Sequence, residues 1–261
     1  MKTVKAIFGV AVICVFLLGV PACTNTVKNE AVPELKVALA FDNQAQADAP
    51  SAYYAFAGAE KSTWTYAADT QYPDTLRFTP SVGGKVMFTD SQINGGTVEL
   101  DITLTEGTET GHAGLLINSS NYADGQNSVR GYYIGIGRNN TIAPRQLGCT
   151  EIDTMATFLQ LAQMQGDYKP FGIARLSDGP VEYPVSYHLS ISQAADNSIV
   201  VYVDGDERAK FDADPDFVSG SVGFRTNNAG GYIDNLAVYS LPAAAANTVA
   251  TAQNVASLTQ E

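Results

Sequence analysis

The chain has 261 residues, 45% hydrophobic and only 16% charged, with 23 glycines, 11 prolines and 13 tyrosines. That composition excludes a disordered chain and a helical bundle, and favours many short strands joined by turns. The formal charge of −12, with its 15 basic residues scattered singly, excludes nucleic acid as a partner, because a phosphate backbone needs clustered Lys and Arg.

Lys2 and Lys5 open the chain, an apolar run fills residues 6–20, and Pro21, Ala22 and Cys23 follow. A basic start, a short apolar stretch and a small residue at the boundary describe a signal peptide, and the run is too short for a transmembrane span. Val20-Pro21-Ala22-Cys23 resembles a bacterial lipoprotein processing site, with Val20 where Leu is favoured and Pro21 in an unusual position. The resemblance implies a mature chain beginning at an acylated Cys23, lipid-anchored in the bacterial cell envelope at the outer membrane or cell surface, with the lipid as its only tie to the membrane. A plain secretory signal cut after Ala22 is the alternative. Once Lys2 and Lys5 are removed the mature protein is more acidic still, which suits solubility at a cell surface. The division that follows is a signal peptide over 1–22, a lipid-anchored tether over 23–36, one β-sandwich over 37–241 and a flexible tail over 242–261. Cys14 leaves with the signal and Cys23 takes lipid, so Cys149 alone remains in the folded part and no intrachain disulfide forms.

Strands are expected at 35–41, 53–57, 75–79 and 84–89. The next is the clearest: Val98, Leu100, Ile102 and Leu104 alternate with Thr97, Glu99, Asp101 and Thr103, the period of a strand with one buried face. Further strands follow at 113–118 and 131–137. Residues 151–165 carry Ile152, Met155, Phe158, Leu159 and Ala162 at helical spacing, which predicts a short amphipathic helix inserted in a loop. After a strand at 171–176, Tyr187, Leu189 and Ile191 alternate with His188, Ser190 and Ser192. The apolar, β-branched run 199–203 predicts a strand shielded on both faces or paired centrally. Strands at 207–212, 220–226 and 231–239 complete two antiparallel sheets. Asn94-Gly95-Gly96, Ala195-Asp196-Asn197 and Asp204-Gly205-Asp206 supply turn chemistry between the runs.

The order of these pieces from Gly96 onward carries a resemblance. Gly96-Thr-Val-Glu-Leu-Asp-Ile102, His112-Ala-Gly-Leu-Leu-Ile117, Gly131-Tyr-Tyr-Ile-Gly-Ile136, Tyr187-His-Leu-Ser-Ile191, Ile199-Val-Val-Tyr-Val-Asp-Gly205, Gly220-Ser-Val-Gly-Phe-Arg-Thr226 and Ile233-Asp-Asn-Leu-Ala-Val238 are similar to the concanavalin A-like jelly rolls. Those include laminin G-like domains, fructan-binding modules of glycosidases and the keto-disaccharide hydrolase-like family of secreted bacterial proteins. The resemblance implies an all-β, two-sheet antiparallel jelly-roll sandwich. It leaves binder and enzyme open, because the fold hosts both.

Carbohydrate binding needs an aromatic face for the sugar ring and a few planar polar groups for its hydroxyls. Trp64, Tyr122, Arg130, Tyr133, His188, Tyr202 and Arg225 are the candidate set for a polysaccharide or glycan ligand. Glycoside hydrolysis needs two carboxyls flanking the scissile bond, and Glu99 and Asp101 share a strand face. Glu99-Leu-Asp101-Ile-Thr-Leu104 lacks the closing glutamate of the jelly-roll glucanase pattern, so an ordinary solvent-facing pair is the competing reading. No cofactor is required. Asp42, Asn43, Asp234 and Asn235 are oxygen-bearing loop residues of the kind that suit calcium, and the resemblance implies a structural calcium ion; plain turn residues are the alternative. His112 and His188 have no zinc-site spacing. A glycan-binding lipoprotein, a glycoside hydrolase or lyase of the same fold, and an adhesive module for a protein partner are the three functional readings.

Overall fold

The computed structural model describes residues 33–41, 50–54, 64–67, 71–88, 90–122, 125, 127–138, 156–177 and 182–241. The strands among these are β1 (Glu34–Leu39), β2 (Pro50–Tyr54), β3 (Trp64–Tyr66), β4 (Leu76–Phe78), β5 (Gly84–Phe88), β6 (Gly96–Ser120) and β7 (Arg130–Arg138). They continue with β8 (Thr157–Gln165), β9 (Tyr168–Arg175), β10 (Val185–Gln193), β11 (Ser198–Val203), β12 (Asp206–Asp212) and β13 (Ser221–Ser240). A 3-10 turn over Pro215–Phe217 is the only helical element among the described residues.

Two long strands organise the sandwich. The first half of β6 pairs with β10 and with the second half of β13; its second half pairs with β7 and with the first half of β13. Each long strand thereby passes from one layer to the other. The first layer runs β12-β11-β10-β6-β13, with β1 and the β3–β4 pair on the far edge of β13. The second runs β9-β8-β7-β6-β13-β5-β2. The register of β6 against β13 shifts between Asn227 and Ala229, with Asn228 left-handed at φ +53°, where the ladder turns the corner.

The two layers enclose one apolar core. Val98, Leu100, Ile102 and Leu104 point into it from β6 while Glu99, Asp101 and Thr103 point out, as the alternation predicts. Phe224 of β13 lies at its centre, 5.1 Å from the ring of Phe78 and edge-on to Trp64 at 5.8 Å. Between β11 and β12, Asp204 (φ +54°) and Gly205 (φ +83°) form the two left-handed positions of a type I′ turn, as the Asp-Gly pair predicts. A side chain on Gly205 would touch nothing within 4 Å, so Gly205→Ala should lose only about 1 kcal/mol of stability, from the dihedral alone. Chemical denaturation measures it.

The structure corrects the sequence reading at three places. The helix expected over 151–165 is absent where described: Thr157–Gln165 is the strand β8, paired on both sides, and residues 151–155 lie outside the described residues. Leu159 and Leu161 enter the core while Ala162 and Met164 are buried on the opposite face, and burial on both faces hides a period of two. The strands expected at 113–118 and 220–226 are halves of β6 and β13 and not separate elements. Residues 199–203 are paired centrally, between β10 and β12, as one of the two expectations had it, while their burial alternates, with Val200 and Tyr202 half-exposed. Trp64, which falls between the strands expected at 53–57 and 75–79, opens a strand of its own.

Candidate functional site

The outer face of the first layer gathers polar side chains by register. One row across it reads Asp234, Asp101, His188; the next reads Tyr232, Thr103, Ser186; a third reads Glu99, Ser190, Tyr202. Nδ1 of His188 lies 2.7 Å from Oδ1 of Asp101, and the amide of Asn235 donates to its Oδ2 at 2.8 Å. Both oxygens of this carboxylate are therefore engaged, although the side chains of Asp101 and His188 are 45% and 44% exposed. Glu99, on the same face, accepts from the Ser190 hydroxyl at 3.3 Å. Beside these groups the rings of Tyr72 and Tyr232 meet at 4.8 Å. The tyrosines, Asp101, Thr103 and Asp234 line an open groove of about 300 Å³. Asp101, His188, Asp234 and Asn235, singled out in the sequence for three different chemistries, are thus neighbours in one patch.

That patch does not fit a calcium ion. Calcium takes about six to eight oxygens, whereas Asn235 turns its NH₂ toward Asp101 and His188 presents a ring nitrogen. Among the described residues no group of three or more His, Cys, Asp or Glu is placed to hold a metal. Asp42 and Asn43, like Cys23 and Cys149, lie outside the described residues.

The outer face of the second layer carries a different constellation, and it is buried. Its central row reads Gln160, Gly135, Gly114, Arg225, Lys85 across β8, β7, β6, β13 and β5. Gly135 is bare because the ring of Tyr133 lies over it: a Cβ there would come 2.0 Å from the phenolic oxygen. The Tyr133 hydroxyl in turn meets Nδ1 of His112 at 2.6 Å. The guanidinium of Arg225, 1% exposed, sits 5.1 Å from the centre of the Tyr133 ring and 5.8 Å from that of Tyr168. Lys85, fully buried beside it in register, donates to the carbonyl of Gly125. Burial, reinforced by Arg225, holds the imidazole of His112 well below its usual range, so it is neutral. Burial likewise pushes the Tyr168 phenol up to about 12. The hydroxyl of Tyr122 crosses Gly223, at 2.6 Å from where a Cβ would stand, which accounts for the glycine between Val222 and Phe224.

The seven residues expected to line a sugar site therefore do not form one site. Tyr122, Tyr133 and Arg225 share the second layer's outer face, and His188 and Tyr202 share the first's. The ring of Trp64 packs on Phe78 and Phe224. Arg130 lies 4.7 Å over the ring of Phe217, with Asp216 at 3.5 Å. Sequence reasoning passed over Tyr72, Tyr232, Gln160, Tyr168 and Lys85. The outward register of Tyr232 beside Asp234 was a usable signal; for the others the sequence shows none, because their neighbours come from distant strands.

No protein-family model matches the chain, and no curated protein matches it. Among solved structures, a Bacillus subtilis protein of unknown function with a galectin-like fold superposes with a TM-score of 0.55 at 8% identity, over 79% of this chain and 96% of that one. This chain is similar to it in fold. The carbohydrate-binding module CBM66 from Bacillus subtilis gives a TM-score of 0.48 at 17% identity, over 69% and 93% of the two chains. Domain 4 of AbnA, an extracellular arabinanase from Geobacillus stearothermophilus solved with arabinotriose, gives 0.46 at 15% identity, over 80% and 93%. The galectin-like match agrees with the two-layer jelly-roll sandwich described above, and at such low identity it speaks for fold alone.

Proposed function

We propose that this chain is a bacterial cell-envelope lipoprotein, anchored through Cys23, that binds a polysaccharide or glycan in the groove of the first layer. The observation that carries the binding reading is the meeting of the Tyr72–Tyr232 ring pair with Asp101, His188, Asn235 and Asp234 on one open face. Aromatic rings pack on the C–H faces of a sugar, and carboxylate, amide and imidazole groups take its hydroxyls. The Asp101 carboxylate is oriented by two donors before any ligand arrives, which lowers the cost of ordering it on binding. The acidic composition disfavours anionic polymers on this face and leaves a neutral glycan as its ligand.

A glycan array probed with the full chain in detergent tests the reading. Asp101→Ala and Tyr232→Ala should each weaken binding at least tenfold, while Val200→Ala, on the same layer but away from the groove, should bind as the wild type does. Equal binding by all three would move the ligand off this face. Mass spectrometry of membrane-extracted protein tests the anchor: a diacylglyceryl group on Cys23 is expected, and an unmodified thiol rules it out.

A further inference from the structure

Arg225 presents an unmet demand. Its charge is buried at 1% exposure, and its hydrogen-bond partners are uncharged: Oδ1 of Asn127, 3.3 Å from Nη2, and the Tyr133 hydroxyl. Nε and Nη1 have none. Among the described residues no carboxylate pairs with it; its titratable neighbours there are the phenols of Tyr133 and Tyr168 and the imidazole of His112. Leaving a guanidinium dry and without a counter-charge is strongly unfavourable, and aromatic faces compensate only a part of it.

The same row repeats the pattern at its other end. Gln160 is fully buried; its Oε1 accepts from the Tyr168 hydroxyl at 3.0 Å, while its Nε2 has no acceptor. Across the two-glycine floor between them, the open valences of Arg225 and Gln160 are all N–H groups. Donors in excess around a positive centre call for an oxyanion rather than for a neutral hydroxyl, which would bring a donor of its own. The walls are aromatic: Tyr133, Tyr168 and His112 stand with ring centres 5.3 to 6.4 Å apart. Tyr168, next to the β8–β9 turn at the edge of the layer, is the member of this cluster that reaches solvent.

From these observations we infer that the outer face of the second layer holds a second binding site, for the carboxylate of an acidic sugar, with Arg225 as its anchor and Gln160 as a further donor. It is independent of the groove on the first layer. The carboxylate would meet the open guanidinium nitrogens, and the sugar ring would lie against Tyr133 and Tyr168, with access past Tyr168.

Isothermal titration of the full chain with sodium glucuronate, glucose, acetate and sulfate tests this, on the wild type, Arg225→Met and Tyr168→Ala. Glucuronate should bind, with glucose, acetate and sulfate each at least tenfold weaker. Both variants should lose glucuronate affinity tenfold or more. A second readout separates ligand binding from architecture: without ligand, Arg225→Met should melt about 2 to 4 °C above the wild type, because it removes a buried uncompensated charge. Acetate or sulfate binding as tightly as glucuronate would refute the sugar and leave a free-anion site. No binding of any anion, or an Arg225→Met protein that melts lower or fails to fold, would make the arginine structural and overturn the site.

Discussion

Gly114→Ala should destabilise the protein by about 3 kcal/mol or more, read from chemical denaturation midpoints. A methyl group there would stand 2.1 Å from the carbonyl oxygen of Ile134 and 2.4 Å from Cα of Gly135, both backbone atoms of the neighbouring strand. A side chain can rotate away from an intruder. A hydrogen-bonded strand cannot, so β6 and β7 would have to part, and the Leu115–Ile134 pairing beneath them would part as well. Leu115 and Ile134 are fully buried in the common core, which converts a local clash into lost packing. Gly205→Ala is the comparison: there the backbone is left-handed but the space is empty, and only the dihedral resists. A Gly114→Ala midpoint as mild as that of Gly205→Ala would mean that the strands do not approach so closely, and the floor on which Tyr133 lies would lose its physical basis.

What the sequence disclosed follows from which faces are covered. Where one face of a strand is dry and the other wet, as at residues 97–104 and 187–192, the alternation is plain and the assignment of inner and outer side chains holds. Where both faces are buried, as along β7 and β8, polarity no longer marks the pleat, and Thr157–Gln165 read as a helix because its apolar residues also fit a period near 3.6. Residues 105–112, left outside the strands expected at 97–104 and 113–118, continue one strand of 25 residues. The sites were less legible than the fold. Each depends on rows that run across strands far apart in sequence, so Asp101 beside Asn235, or Gln160 in line with Arg225, exists only once the register is set. The seven-residue set, chosen by residue chemistry alone, was therefore assembled from four separate places.

The remaining large effect is a dependence of stability on acid. His112 sits on the second layer between Tyr133, which holds its Nδ1, the ring of Tyr168, and the guanidinium of Arg225. Desolvation comes first and the arginine second in holding its pKa well below 6.5 in the folded protein. In the unfolded chain the same imidazole titrates near 6.5. Between these two values the unfolded state binds a proton that the native state refuses, so acid favours unfolding. The wild type should accordingly lose about 1.4 kcal/mol of stability per pH unit as pH falls below 6.5, down to the folded pKa, relative to its value at pH 7.5. Carboxylates contribute their own acid dependence, and His112→Gln separates the two, because it keeps a polar side chain facing Tyr133 but takes up no proton. Denaturation curves of both proteins at pH 7.5, 6.5 and 5.5 should converge as the pH falls, the difference between them changing by up to about 1 kcal/mol over the last step. Parallel curves would show that the imidazole protonates as readily in the folded protein as out of it, which requires water or an anion to have entered the cluster around Arg225.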